Sequence, residues 1–507
     1  MVSKYSPKRV LVSAGKFLLG FGIVLSFLAF FSSLWYRAVY GDLNFDAILY
    51  TLTANTTNTN PDLVFSWISW TVPATLVLSA ATIFFLVQTH WSVKIRIPKI
   101  FQLQLPLKRR WLSVSISLVL CVALLFSGVK ISKADAYIRN LRTLSTVYEE
   151  QYKDPKHTTV TFPEEKRNLI YIYLESMEAS YFSQEQGGML PYNIIPELYS
   201  LARENTSFSH NTDIGGFTWT PGATWTIGAM VAQTAGIPLK TPPDIGGNDY
   251  GADGDFLPGV TTLTDILHEN GYQQALMVGS DASFGGRKEY FTSHGVDRIY
   301  DLYTAQQDGL IPEDYMVWWG FEDLYLFTYA QQVITEMSQQ AQPFAFTMLT
   351  VDTHHVDGYL CAYCEEVHEE QYENVMECSS RQVAAFVQWI QEQPFYENTT
   401  VVLVGDHPSM DNGYFTRNAP DDYDRHVYNC FLNPAAEATN IQNRVFCAYD
   451  LFPTTLAAMG CTIQGDRLGF GTDLFSATAT LYEETDGAIA DEFDKNSAYY
   501  TKYFFYK

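Results

Sequence analysis

Four apolar runs in this chain end in side chains that bind metals or phosphates. Glu175 follows Asn168–Leu174, and Gly279-Ser280-Asp281 follows Gln274–Val278. Asp352-Thr353-His354-His355 follows Phe344–Val351, and Asp406-His407 follows Thr400–Val404. Glu175, Asp406 and His407 supply two carboxylates and an imidazole. With the hydroxyl of Thr226 they make an O/O/O/N donor set that suits Mn²⁺, Mg²⁺ or Zn²⁺. Such an ion would stabilise a threonine alkoxide and polarise a phosphoryl oxygen. Arg287 offers paired N–H donors for a phosphate. His354 could protonate a leaving oxygen or hold the phosphate, and His355 is its rival by position. Each residue alone has a plainer reading: a solvated glutamate, a surface ion pair of Arg287 with Glu289 or Asp281, a capped turn at Asp406-His407. Gly405 before that last pair permits a close backbone approach and favours the ligand reading.

Thr226 lies where the loop Phe217–Trp225 gives way to the Ala-rich run Thr226–Ala235. That run predicts a helix with Thr226 in its first turn, where free N–H groups and the dipole favour an anion. The competing role for Thr224 or Thr226 is a simple N-cap. The recurrence of ligand types after every strand tips the balance towards chemistry.

The elements that must position these residues alternate. Helices are predicted at 191–205, 259–270, 322–340, 372–392 and 449–459, between the strands above, with a further strand at 427–432. This order predicts an α/β fold with a mainly parallel sheet and helices on both faces. Sites in such sheets form beyond the C-terminal strand ends, which is where the candidate residues stand.

Ahead of this lies a different kind of chain. Leu11–Trp35, Leu63–Thr89 and Trp111–Val129 are apolar runs of spanning length. The N-terminus carries Lys4, Lys8 and Arg9, and the loop 90–110 carries six Lys/Arg, whereas the loop 36–62 has one Arg and three Asp. The positive-inside rule then puts everything after Ile131 outside the cytoplasm. The expected organisation is a three-helix membrane anchor at 1–132, a linker at 133–164, in which Ala134–Tyr152 reads as a helix, and a multi-pass protein's extracytoplasmic domain at 165–507. Of the 32 Lys/Arg and 56 Asp/Glu, 17 and 50 fall after residue 150, so nucleic acid is excluded as a partner. Six cysteines (Cys361, Cys364, Cys378, Cys430, Cys447, Cys461) lie in the acidic part. An even number in an exported domain predicts disulfides. The Cys361-x-x-Cys364 spacing also occurs in zinc and redox sites, but no second such pair follows.

The chain resembles the sulfatase-fold phosphoglycerol transferases of bacterial membranes, a group that includes lipoteichoic acid synthase. The resemblance is carried by Tyr173-Leu174-Glu175-Ser176, Trp225-Thr226-Ile227 with Gly236-Ile237-Pro238-Leu239, Gly285-Gly286-Arg287, Val351-Asp352-Thr353-His354-His355 and Val404-Gly405-Asp406-His407. It covers about residues 165–475, and its motifs look more like the glucan-directed branch. Gly285 and Val278 stand where lipoteichoic acid synthases carry a Trp and a further His. The resemblance implies an alkaline phosphatase/sulfatase-like fold. It implies that Thr226 takes glycerol phosphate from phosphatidylglycerol as a phospho-threonine, with a glycan or glycolipid as acceptor. It further implies Glu175, Thr226, Asp406 and His407 as ligands of an ion that is typically manganese. Arg287 and His354 match residues that hold the phosphoglycerol group, with His355 beside them. Competing expectations are polymerisation of glycerol phosphate on a glycolipid, phosphoethanolamine transfer, and an inactive sulfatase-like membrane sensor.

Overall fold

The computed structural model describes residues 7–41, 61–87, 91–97, 101–107, 110–240 and 255–505, with positions 45 and 49. The chain forms two compact units, one built on the apolar helices before Ile138 and the other on Arg139–Lys507.

The first unit contains three helices, Pro7–Tyr40, Pro61–Val87 and Arg110–Ile131. Gly15–Tyr40, Val64–Val87 and Leu112–Ile131 are long and apolar enough to cross a membrane. Phe17, Phe65, Val77 and Phe126 stay exposed on them, as a lipid-facing surface requires and an aqueous one disfavours. The indoles of Trp35 and Trp67 donate reciprocally to Ser66 and Ser32, at 3.1 and 3.0 Å, and lock the first two helices in register. Most of the loop 36–62, Lys4 and Thr89 lie outside the described residues. The basic loop after the second span contains an antiparallel hairpin, Trp91–Ile97 with Phe101–Leu107.

The second unit is built on a six-stranded sheet. Its strands in chain order are β1 Asn168–Leu174, β2 Gln273–Val278, β3 Arg298–Tyr300, β4 Phe344–Leu349, β5 Thr399–Gly405 and β6 Asn429–Leu432. They are ordered β6-β5-β1-β4-β2-β3, and all neighbours are parallel except β6 against β5. Side chains alternate across β1: Leu169, Tyr171 and Tyr173 enter one core, Ile170, Ile172 and Leu174 the other. Both faces are therefore buried, which explains why these strands read as continuous apolar runs. The helix Thr226–Ala235 packs Met230, Val231 and Ala232 into the first core. The helices Asp323–Ser338 and Gln371–Gln391 cover the second.

Three expectations are corrected. The helix 134–152 is two pieces, Ala134–Arg142 and Val147–Glu150. Between them Ser145 N donates to Asn496 O at 2.9 Å, so the backbone pairs with the distant C-terminal segment instead of continuing the helix. The run 427–432 is split into His426–Val427 and β6, which sit in different sheets. All seven cysteines are free. Cys430, Cys447 and Cys461 are buried at separate points of the fold, where each serves as a small apolar residue. The C-terminal segment buries Tyr500 and Phe504, with Tyr500 edge-on to Tyr148 at 5.6 Å.

Candidate active site

β1 and β5 are neighbours, so the residues that follow them come together at one sheet edge. Glu175 extends β1, and its backbone is fixed on both sides. Its N–H donates to Thr350 Oγ1 at 2.9 Å, and its carbonyl accepts from Thr353 Oγ1 at 2.6 Å. Asp406 extends β5 and is fully buried; its Oδ1 accepts from Ser176 N at 2.8 Å and His407 N at 2.9 Å. Gly405 makes this closeness possible, because a Cβ there would lie 2.1 Å from Met177 O.

Thr226 is the first residue of its helix, and Trp225, not a threonine, is the N-cap, with no side-chain capping bond. The capping alternative for Thr224 or Thr226 thus falls away. The helix is fixed to β5 one face-repeat further on: Gln233 Nε2 donates to Gly405 O and Asp406 O, each at 3.2 Å, while Gln233 Oε1 accepts from Tyr171 OH at 2.8 Å. Positions i and i+7 share a face, so this anchorage also sets where Thr226 stands. Thr226 Oγ1 lies 3.4 Å from His407 Nε2, which is 3.2 Å from Asp406 Oδ2 and 3.8 Å from Glu175 Oε1.

The donor set fits a cation. One ligand atom each of Glu175, Asp406 and His407 falls within 4.8 Å of the others, all buried. His407 Nδ1 faces the carbonyl of Pro408 at 2.9 Å; since a carbonyl only accepts, the proton sits on Nδ1 and Nε2 presents its lone pair. Asp406 Oδ2 is buried and accepts no hydrogen bond among the described residues. Burial, reinforced by Glu175, raises the Asp406 pKa to about 7. Burial alone would lower the His407 pKa, but Asp406 and Glu175 outweigh it and the net shift is upward. Both shifts express one demand: two carboxylates in a dry site call for positive charge.

The other predicted residues surround this cluster. Arg287 opens the helix Arg287–Ser293 after Gly285 and Gly286, whose φ values of 69° and 78° aim the chain back. It is buried, and its Nη2 donates to Ser280 Oγ at 3.0 Å and Asp281 O at 2.6 Å. His354 is partly buried; burial lowers its pKa, with Glu175, His407 and Arg287 all close enough to act on its charge. Its Nδ1 faces His355 O at 2.7 Å, which leaves Nε2 to exchange a proton. His355 is stacked on it with ring centres 4.5 Å apart, and burial holds the His355 pKa well below the ordinary imidazole range.

Some positions that shape this cluster were not expected from the sequence. Ser176, at φ 57°, donates its N–H to Asp406 and its hydroxyl to Glu175 Oε1 at 2.8 Å. Asp323 caps the turn after β4, accepting from Val351 N at 2.8 Å and Asp352 N at 3.2 Å. Buried Glu178 accepts from Ser409 N at 2.7 Å and from Arg425, and so braces the turn after β5. Trp319 lies against His354, ring centres 4.6 Å apart, with an indole N–H that has no acceptor among the described residues. Only Ser176 had a signal, its place within a family motif.

Residues 167–461, more than half of the chain, match the sulfatase family. The chain belongs to that family. It is 34% identical over 270 residues to phosphoglycerol transferase I of Escherichia coli (strain 55989), covering 52% of this chain and 33% of that protein. The same figures hold for phosphoglycerol transferase I of Citrobacter koseri. The chain thus spans about a third of the length of these curated relatives. Among solved structures, an alkaline phosphatase superfamily protein from Vibrio parahaemolyticus is similar with a TM-score of 0.50 at 20% identity, over 68% of this chain and 80% of that one. The integral membrane lipooligosaccharide phosphoethanolamine transferase A from Neisseria meningitidis gives a TM-score of 0.50 at 14% identity, over 88% and 84%. The sulfatase/alkaline phosphatase-like α/β fold read from the sequence is the fold observed.

Proposed function

We propose that this chain is a membrane-anchored phosphoglycerol transferase that moves glycerol phosphate from phosphatidylglycerol to a hydroxyl of an extracytoplasmic glycan, releasing diacylglycerol. The observation that carries this reading is the hydroxyl of Thr226 standing 3.4 Å from His407 Nε2, beside Glu175 and Asp406. The 34% identity to phosphoglycerol transferase I supports the choice of group transferred.

Glu175, Thr226, Asp406 and His407 would hold the ion, with Mn²⁺ as first choice and Mg²⁺ or Zn²⁺ as alternatives. When bound, it supplies positive charge that favours the alkoxide of Thr226 and the charged phosphoryl oxygens. Thr226 Oγ attacks the donor phosphorus, a new P–O bond forms, and the bond to the diacylglycerol oxygen breaks. His354, neutral at rest because burial lowers its pKa, takes up the threonine proton on Nε2 and returns it to the leaving diacylglycerol oxygen. Arg287 holds the phosphate through its guanidinium, with His355 and Trp319 packed against His354. An acceptor hydroxyl then gives its proton to His354 and attacks the phosphorus; the bond from phosphorus to Thr226 Oγ breaks, and His354 Nε2 passes the proton to Thr226 Oγ, which restores the resting enzyme. Ser176, Gln233 and Glu178 keep ligands and nucleophile in register without touching substrate.

On this reading the three apolar helices hold the enzyme where its donor is, and the asymmetry of basic loops supports an extracytoplasmic catalytic unit. The test compares head-group-labelled phosphatidylglycerol and phosphatidylethanolamine vesicles. Diacylglycerol release from the first and not the second is the expected result. Release from phosphatidylethanolamine alone would replace this reading with phosphoethanolamine transfer.

A further inference from the structure

Away from the strand-end site, three cysteines converge on the face of the helix Gln371–Gln391. Cys361 and Cys364 sit on a turn closed by Cys364 N donating to Cys361 O at 3.1 Å, and Cys378 projects from the helix. Cys361 Sγ lies 3.7 Å from Cys364 Sγ and 3.8 Å from Cys378 Sγ, and all three sulfurs fall within 4.8 Å of one another. A disulfide needs about 2.05 Å. A tetrahedral Zn²⁺ with bonds of about 2.3 Å separates neighbouring sulfurs by about 3.8 Å. The observed spacing is that of a metal's coordination edge.

Two further features fit. The sulfurs are surrounded by donors: Gln382 Nε2 lies 3.6 Å from Cys361 Sγ and 3.4 Å from Cys378 Sγ, and the N–H groups of Tyr363 and Cys364 point at Cys361 Sγ. Outer hydrogen bonds of this kind stabilise thiolate ligands. An odd number also matters. Three thiols can form only one disulfide and would strand the third, whereas one cation satisfies all three. Cys378 lines a cleft of about 440 Å³ with Phe327, Tyr363, Arg381 and Gln382. Arg381 would offset the net negative charge of three thiolates around a divalent ion.

We propose that Cys361, Cys364 and Cys378 bind one Zn²⁺ as three thiolates, releasing their protons, with a water from the cleft as fourth ligand. The ion is distinct from the one at the strand-end site, and its place in the chain gives it a task. Cys361 lies six residues after His355, so zinc would pin the loop that carries His354 and His355 to the helix Gln371–Gln391. The sequence ranked a disulfide above a metal for want of a second Cys-x-x-Cys pair; the third ligand comes instead from a helix position that spacing alone does not reveal.

The test uses the full chain, purified in detergent and reduced, then titrated with Co²⁺ as the probe. A thiolate-to-cobalt charge-transfer band saturating at one equivalent is expected, and it should survive Glu175→Gln and Cys430→Ser. Cys364→Ser should weaken cobalt binding by more than the roughly 10–100-fold that loss of an outer hydrogen bond costs. For variants that fail to fold, alkylation of the wild-type chain gives the same answer: Zn²⁺ should protect these three thiols and chelation should expose them. Absence of the band, a band unchanged by Cys364→Ser, equal alkylation with and without Zn²⁺, or a native Cys361–Cys364 disulfide in protein isolated from membranes would each overturn the proposal.

Discussion

The proposed chemistry rests on a few atoms whose neighbours leave them little choice. Pro408 O fixes the His407 tautomer, Ser176 and His407 backbone donors occupy one oxygen of Asp406, and the other oxygen is left facing His407 and Glu175. Removing a charge from this set is therefore different from removing bulk. Glu175→Gln or Asp406→Asn should keep the fold and lower kcat by about 100-fold or more, since a loss of about 3 kcal/mol of transition-state stabilisation gives that factor. EDTA should stop turnover and Mn²⁺ should restore it; activity indifferent to chelation would remove the ion from the mechanism. Glu175, Asp406 and His407 were legible as candidate ligands because they follow apolar strands, and a strand end in a parallel sheet is where ligands gather; Thr226 was legible from the loop-to-helix boundary it opens. Ser176 was legible only as part of a motif, and Trp319, Asp323 and Glu178 not at all. Their roles arise from juxtapositions across tens to hundreds of positions, and locally each is an ordinary loop or helix-end residue.

The same division holds for the elements. Helices and strands with strong periodicity, such as Thr226–Ala235 and Phe344–Leu349, stand where the pattern put them. The break at Thr143–Thr146 was hidden, because its cause is a backbone bond to Asn496 far along the chain. Register matters most at β5. Gly405→Ala would press a methyl group against Met177 O, and overpacking of this kind costs about 1–3 kcal/mol; a lower thermal midpoint with parallel loss of activity is expected. The helix Leu263–Glu269 offers a pH test remote from the site. Asp265 completes its capping box and pairs with His294 Nδ1 at 2.7 Å. Burial raises the Asp265 pKa, but the His294 bond and the Thr262 donors outweigh it and the net shift is downward. A carboxylate with a depressed folded pKa stabilises above its unfolded value, near 4, and loses that contribution as pH falls through the folded one. Asp265→Asn should thus lower the thermal midpoint at neutral pH, with the gap to wild type closing below about pH 4.

At the scale of the whole molecule, a basic apolar part and an acidic part share one chain. The residues after position 150 carry 50 acidic against 17 basic side chains, so that part is repelled by anionic lipid, and under the proposed function the three apolar helices are what bring it to phosphatidylglycerol. A chain lacking the residues before Ile131 should turn over detergent-dispersed donor but lose at least about tenfold on vesicles, because tethering raises the effective concentration. Equal rates on vesicles would detach the anchor from catalysis. Whether Thr226 carries the transferred group can be read by peptide mass spectrometry after brief exposure to head-group-labelled phosphatidylglycerol. A glycerophosphoryl adduct on Thr226 that forms with Mn²⁺ and disappears on adding acceptor glycan is expected. An adduct on another residue, or undiminished turnover in Thr226→Ala, would contradict this role of Thr226.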